Sequence, residues 1–244
     1  MRIAIVSDIH GNLAAFEAVL RDLKQTSPDL VLHGGDLADS GSRPAEIIDQ
    51  IRALGWPGVL GNTDEVHTRP ESLVEFAAES KAPSSLLVAV RDMAAWTHEK
   101  LGRHRIEWLG SLPRVLRRDS FAMVHAIPAS LWKSPSVESP DAEFQAVYEQ
   151  LDRPVIVYGH IHRPFLRRVP HAWLTQMLIV NSGSVSLSHD GDPRASYVLI
   201  DGSTAEIRRV DYDMEKEIRG VQDAGMPHSD WIARTLRESA PQLP

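Results

Sequence analysis

Apolar residues first occur as an unbroken run, Ile3-Ala4-Ile5-Val6, and then at helical spacing between Leu13 and Lys24, through Phe16, Val19, Leu20 and Leu23. A short β-rich run followed by a 3.6-residue period predicts a strand, a loop and a helix. The pattern repeats: Leu30-Val31-Leu32 reads as a strand, Gly34-Gly35 as a turn, and Pro44 opens a helix carrying Ile47, Ile48 and Ile51. Such alternation predicts a mostly parallel sheet in an α/β domain. Val59-Leu60 reads as the end of a third strand, and the stretch 66–116 holds several helical patterns, among them Leu86 to Lys100 and Ile106 to Leu112, so it reads as a helical insertion. Strand patterns return at Phe121 to Val124, Val155 to Tyr158, Leu178 to Val180, Tyr197 to Ile200 and Glu206 to Val210, separated by Pro, Gly and Asp clusters. From Met214 the pattern is helical, breaks at Gly225-Met226-Pro227 and ends in an amphipathic piece with Trp231, Ile232 and Leu236. The tail 214–244 is expected to pack outside the core. No internal repeat and no long linker interrupts the chain, so residues 1–244 read as a single domain.

Composition narrows the chemistry. Hydrophobic residues make up 43% and charged ones 24% of the 244, the balance of a folded globule. There is no cysteine, which rules out disulfides and thiolate metal sites, so a bound metal would rely on His, Asp, Glu or Asn. The net charge of −7 argues against a nucleic-acid duplex as partner, because such binding uses Lys and Arg to neutralise phosphates. The apolar start is cut short by Asp8 and His10, and no later run approaches the ~20 apolar residues of a membrane span. A cytoplasmic protein with no membrane partner is expected.

The most informative residues stand directly after the strands. Asp8-Ile9-His10 comes after the first, Gly35-Asp36 after the second and Gly61-Asn62 after the third, while His125 and Gly159-His160-Ile161-His162 come after two later ones. In an open α/β sheet the carboxyl ends of the strands form the rim where ligands bind. Two carboxylates, one amide oxygen and four imidazoles therefore converge on one edge, a donor mix that suits first-row divalent ions and exceeds what one closed site needs.

Those blocks, in that order, resemble the motifs of calcineurin-like metallophosphoesterases. Ser7-Asp8-Ile9-His10-Gly11-Asn12, Asn181-Ser182-Gly183-Ser184-Val185 and Asp192-Pro193-Arg194-Ala195-Ser196-Tyr197 further resemble the bacterial phosphodiesterase branch related to diadenosine tetraphosphatases. The resemblance runs from Met1 to about Asp213. It implies a four-layer αββα sandwich and two divalent ions, Mn2+ first, with Fe, Zn, Ni or Co as alternatives. It further implies that Asp8, His10, Asp36 and His162 hold one ion and that Asp36, Asn62, His125 and His160 hold the other, with Asp36 bridging. A metal-bridging hydroxide would then attack a phosphodiester or phosphoanhydride, with Asp36, Asn62 and His125 at the catalytic centre. The substrate expected is a small phosphate ester, including nucleotides. A phosphomonoesterase, or a scaffold that keeps the fold as a docking surface, are the other readings.

Two departures from the family pattern bear on the chemistry. The family commonly has a His after Gly-Asn that protonates the leaving group, and here that position is Thr63, a poor acid near pH 7. Ser182 and Ala126 change loop shape without removing a ligand. Candidates for substrate contact are Thr63, His98 and Arg194, with His67 and His98 as replacement acids from the insertion. Each also has a plainer reading: surface placement for the two histidines and an exposed turn for Arg194. Trp132, in the loop after His125, offers a stacking surface for a base. Asn12 is expected to cap the next helix, and His33 to be a core residue or to support a ligand from behind rather than bind metal itself.

Overall fold

Strand β1 (Arg2–Val6) is buried on both sides, which is why its apolar run is continuous rather than alternating. Its period of two still sorts the side chains: Ile3 and Ile5 point one way, Ala4 and Val6 the other. The same division recurs on every central strand. The computed structural model describes residues 1–244 and shows, in chain order after β1, helix α1 (Leu13–Thr26), β2 (Leu30–His33), α2 (Pro44–Leu54), α3 (Asn62–Thr68), α4 (Glu71–Glu79), α5 (Ser84–Leu101) and α6 (Arg103–Gly110). Next come β3 (Val115–Arg117), β4 (Phe121–Val124), α7 (Asp141–Tyr148), β5 (Val155–Tyr158), β6 (Phe165–Pro170), β7 (Gln176–Asn181), β8 (Ala195–Asp201), β9 (Thr204–Val210), α8 (Met214–Asp223) and α9 (Ser229–Glu238).

The strands form a four-stranded sheet of order β2-β1-β8-β9 and a five-stranded sheet of order β3-β4-β5-β7-β6. Between the sheets lie Ile3, Ile5, Leu32, Phe121, Met123, Val155, Val157, Val180, Val198 and Ile200. The opposite face of the first sheet packs Ala4, Val6, Tyr197 and Leu199 against Phe16, Val19, Ile47 and Ile51 of α1 and α2. The opposite face of the second packs Val124, Ile156, Tyr158 and Ile179 against Phe144 and Tyr148 of α7. This is the four-layer αββα sandwich. A fully buried Val, Leu or Ile contributes on the order of 1.5–3 kcal/mol, so strands covered on both faces stabilise the layers more than any surface contact does.

Three expectations are corrected. The sheets are mixed rather than mostly parallel: β1 with β2, β4 with β5 and β5 with β7 are parallel, and the other four pairings are antiparallel. Val59-Leu60 does not form a strand. One parallel bridge joins His33 to Gly58, and the Leu60 amide then turns away to the Pro113 carbonyl. The stretch after it is helical already from Asn62 and ends in the short strand β3, while β6 and α7 arise where no element was expected. In β6, Arg167 takes an inward position, its guanidinium 5.0 Å over the Phe144 ring and bound to the Ser139 carbonyl at 2.7 Å, so apolar alternation is missing from the sequence. No helix is long and apolar enough to cross a membrane.

His33, at the end of β2, is a core residue as expected. It is fully buried, neither ring nitrogen has a partner, and its ring packs against Gly58 and Trp108. Burial lowers its pKa from 6.5 to about 3. The unfolded chain takes up a proton below pH 6.5 that the folded chain refuses until about pH 3, so stability is lost as pH falls through that window, by about 1.4 kcal/mol per unit. In His33→Leu, urea unfolding of chelator-treated protein at pH 7 and pH 4.5 should show a shallower pH dependence, by about one proton. Identical pH slopes for the two proteins would remove His33 from the account.

Candidate metal centre

The rim is built by left-handed turns. Five candidate ligands have positive φ: Asp8 (56°), His10 (50°), Asp36 (53°), His160 (66°) and His162 (56°). That conformation costs a non-glycine residue roughly 1–2 kcal/mol, least for Asp and Asn, and survives only where neighbours enforce it. Here the Asp8 amide donates to the Gly35 carbonyl at 3.0 Å and the His10 amide to the Asp36 carbonyl at 3.0 Å. The two strand exits of the first sheet thus hold each other. Gly35 (φ 87°) lies so near the next exit that a Cβ there would sit 2.5 Å from the Gly61 nitrogen.

These turns bring Asp8, His10, Asp36 and His162 together, all buried, with ligand atoms within 4.8 Å of one another. His10 Nε2 and His162 Nε2 face each other at 3.2 Å. The Nδ1 of His10 lies 2.9 Å from the Asp39 carbonyl and that of His162 2.6 Å from the Leu187 carbonyl. A carbonyl only accepts, so both Nδ1 atoms carry hydrogen, and the two facing Nε2 atoms have room for at most one further proton between them. Asp8 Oδ1 adds a third acceptor 3.1 Å from His162 Nε2. Such a cluster of acceptors calls for a proton or a cation between them.

A second group adjoins it. His125 Nδ1 lies 2.8 Å from the Gly34 carbonyl, and its Nε2 lies 2.9 Å from Asn62 Oδ1. His160 Nδ1 approaches the same oxygen at 2.9 Å. Asp36 Oδ2 lies between the groups, 3.7 Å from His10 Nε2 and 3.5 Å from His125 Nε2, while its Oδ1 accepts from the Thr63 amide at 2.9 Å. All seven expected ligands therefore meet at the rim, and oxygen and imidazole donors of this kind fit divalent first-row ions.

Without ions, the electrostatics are those of carboxylates and imidazoles sharing dry space. Burial pushes Asp36 up, but His125, His10 and His160 outweigh it and hold the carboxyl well below its usual range. Burial likewise opposes, and His162 reverses, the shift of Asp8. Burial lowers His125 while Asp36 and Asp8 raise it further, to about 10; His160, disfavoured by burial and by His125, falls to about 4.

The sequence did not single out Asp64, the residue that organises the Asp36 turn. It is fully buried and accepts from the amides of Asp36 (2.8 Å), Leu37 (2.9 Å) and Gly61 (3.1 Å), and burial next to Asp36 raises its pKa to about 7. An acidic residue three places after the glycine that opens α3 is the available signal, since that position can reach back to free amides. Ser184 is another omission, its hydroxyl donating to the Asp8 carbonyl at 2.8 Å and accepting from the Leu187 amide at 3.0 Å, which fixes the acceptor of His162.

The remaining candidates sit elsewhere. His98 is exposed on α5, its ring 5.8 Å from that of His67. His67 is buried, 3.2 Å from Asp39 Oδ1. Both line an apolar groove of about 520 Å³ between α4 and α5 that includes none of the seven ligands. Arg194 folds back on Asp192 at 2.7 Å in an exposed turn. Trp132 stacks on Phe76 at 4.5 Å and donates to Glu65 Oε2 at 3.1 Å, so one face of its ring is covered. Asn12 caps α1, accepting from the Ala15 amide at 2.9 Å.

Comparison with known proteins agrees with the geometry. The chain is 29% identical over 252 residues to an uncharacterized protein of Methanocaldococcus jannaschii, covering 96% of each. It is 30% identical over 169 residues to a probable cyclic nucleotide phosphodiesterase of Synechococcus, covering 62% of this chain and 64% of that one. Its fold superposes on the crystal structure of a metallophosphoesterase from Sphaerobacter thermophilus with a TM-score of 0.79 and 27% identity, covering 98% of this chain and 99% of the other. Residues 1–205 match the model of the calcineurin-like phosphoesterase superfamily domain, and the chain belongs to that superfamily.

Proposed function

We propose that the chain is a metal-dependent phosphoesterase acting on a phosphodiester or phosphoanhydride, with two divalent ions, manganese foremost. Asp8, His10, Asp36 and His162 would hold one ion, and Asp36, Asn62, His125 and His160 the other. The observation that carries this reading is the convergence of the His10 and His162 Nε2 atoms with Asp8 and Asp36, the Asp36 carboxylate lying between two imidazole groups. When bound, such ions polarise phosphoryl oxygens and make a nucleophile of water near neutral pH.

The chain's own residues supply the rest. Carbonyls of Gly34, Asp39 and Leu187 set the tautomers of His125, His10 and His162, which frees one nitrogen of each for the rim. The Thr63 amide and Asp64 fix Asp36 from two sides. A small substrate fits the net charge of −7 better than a nucleic-acid duplex, since one or two phosphates are neutralised locally by the ions. The Synechococcus relative supports a diester over a monoester.

Three outcomes are expected. Asp36→Asn should lower metal content toward zero and cost more activity than His10→Ala, because it weakens both ions; equal losses, measured with metal stoichiometry alongside rate, would count against a shared carboxylate. Metal loading should release at least one proton at pH 7, because His125 at about 10 is protonated before loading and a ligand afterwards. Affinity should accordingly fall as pH falls. Calorimetric titration of Mn2+ in two buffers of different ionisation enthalpy reads the proton count directly, and a count of zero would contradict this state of His125.

The third outcome concerns the leaving group. Thr63 is a weak acid and its hydroxyl is buried without a partner, while His98 stands in the apolar groove. An alkoxide of high pKa leaves slowly without a proton, whereas a well-placed acid typically contributes ~10²–10⁴-fold. Aryl diesters and anhydrides should therefore be preferred, and Thr63→His should raise alkyl-diester turnover at least about tenfold with aryl turnover nearly unchanged. Similar rates of the unaltered enzyme on alkyl and aryl diesters would sink this expectation.

A further inference from the structure

We propose that Glu217, on helix α8 beyond the residues matched by the family model, is a positioning residue for the metal centre: it clamps the far end of the loop that orients His10. The inference rests on reading the rim as a metal centre. Glu217 is 2% exposed. Its Oε1 accepts from the Ser42 amide at 2.7 Å and its Oε2 from the Ser42 hydroxyl at 3.1 Å, across 175 positions of sequence. The backbone of α8 is pressed onto the same residue, since a Cβ on Gly220 would lie 2.9 Å from Ser42 Oγ.

The loop from Asp36 to Ser42 is the frame of His10. The His10 amide donates to the Asp36 carbonyl at 3.0 Å, the Gly11 amide to the Leu37 carbonyl at 2.8 Å, and the Arg43 amide back to the Gly11 carbonyl at 2.9 Å. The Asp39 carbonyl accepts from His10 Nδ1 at 2.9 Å. Ser40 is held at a φ of 77°, and a Cβ on Gly41 would collide with the His10 carbonyl oxygen. The loop and the His10 turn therefore interlock with little slack, and a shift at one end is passed to the other. Two buried carboxylates bracket this loop: Asp64 binds the amides of Asp36 and Leu37 at its start, and Glu217 binds that of Ser42 at its end. Removing Glu217 leaves a buried amide without an acceptor, a cost the loop relieves by moving. Such a movement carries the Asp39 carbonyl away from His10 and loosens the orientation of its Nε2.

The test is Mn2+ affinity of chelator-stripped protein, with unfolding temperature and turnover at saturating Mn2+ measured beside it. Partners that orient a ligand directly typically contribute about 10–100-fold in metal affinity, and Glu217 acts one step further out, so Glu217→Ala should weaken one of two Mn2+ sites by about tenfold. Saturating Mn2+ should restore turnover to within a few-fold. Glu217→Gln, whose amide oxygen still accepts from Ser42, should keep near-normal affinity. Glu215→Ala, on the same helix but paired with Arg237 at the surface, should change nothing. Unaltered Mn2+ affinity in Glu217→Ala, whatever its unfolding temperature, would overturn the proposal, as would equal weakening by Ala and Gln. Should Glu217→Ala fail to fold, Glu217→Asp, which draws the carboxylate back by one methylene, is read in its place with the same expectation and the same overturning result. Unaltered protein that binds no Mn2+ would overturn the metal-centre reading itself, and this inference with it.

Discussion

Two carboxylates and four imidazoles are held at one sheet edge with little access to bulk water, and most of the architecture answers to that constraint. Asp8 and Asp36 are 0% and 2% exposed. An isolated buried carboxylate would be prohibitively costly, so each needs opposite charge and donors at close range. The imidazoles provide the charge, and with ions bound the ions provide it. Donors come from the backbone: the His160 amide to Asp8 at 3.1 Å and the Thr63 amide to Asp36 at 2.9 Å. Each carboxylate is thus bound to an exit other than its own, and the strand ends are tied into one unit.

The backbone bears a cost in return. Left-handed turns at Asp8, His10, Asp36, His160 and His162 are unfavourable locally and are retained because they aim the side chains at a common point. Asp and His adopt that conformation more readily than β-branched or bulky residues do, so the residue types that coordinate metals are also ones that tolerate the turns. Around this layer stands a second one, of carbonyls that choose tautomers and of buried acids, Asp64 and Glu217, that hold loops. The sandwich behind them is ordinary hydrophobic packing, and it supplies rigidity and not chemistry.

The helices between Asn62 and Gly110 divide the surface beside the rim. Helix α3 starts on a rim residue, Asn62, and carries Asp64 and Glu65 inward; Glu65 in turn accepts from Trp132 and binds Arg69 and Arg114. The loop after His125 is thereby fastened to the helical segment, where Phe76 of α4 covers one face of the Trp132 ring. On the other side, α8 and α9 pack Ile218, Val221, Ile232 and Leu236 against Met93 and Leu187, so the tail is bound to the loop that presents the acceptor of His162.

Much of this was determined by the sequence alone. The apolar run of β1, the short apolar runs of β4, β5 and β8, and the order of ligands after the strand exits are local properties, and local pattern is what a sequence displays. From them an α/β domain with many strands and the seven rim residues could be named, while the sandwich itself came from family resemblance. What the tertiary structure decided depends on partners far apart in the chain: the mixed direction of the sheets, the failure of Val59-Leu60 to continue as a strand, and the inward Arg167 of β6. The same holds for Asp64, which meets Asp36 across 28 positions, and Glu217, which meets Ser42 across 175. A buried acid reads in sequence like any exposed one, because its meaning lies in which amides it faces, and only the packing of the whole chain brings those amides to it.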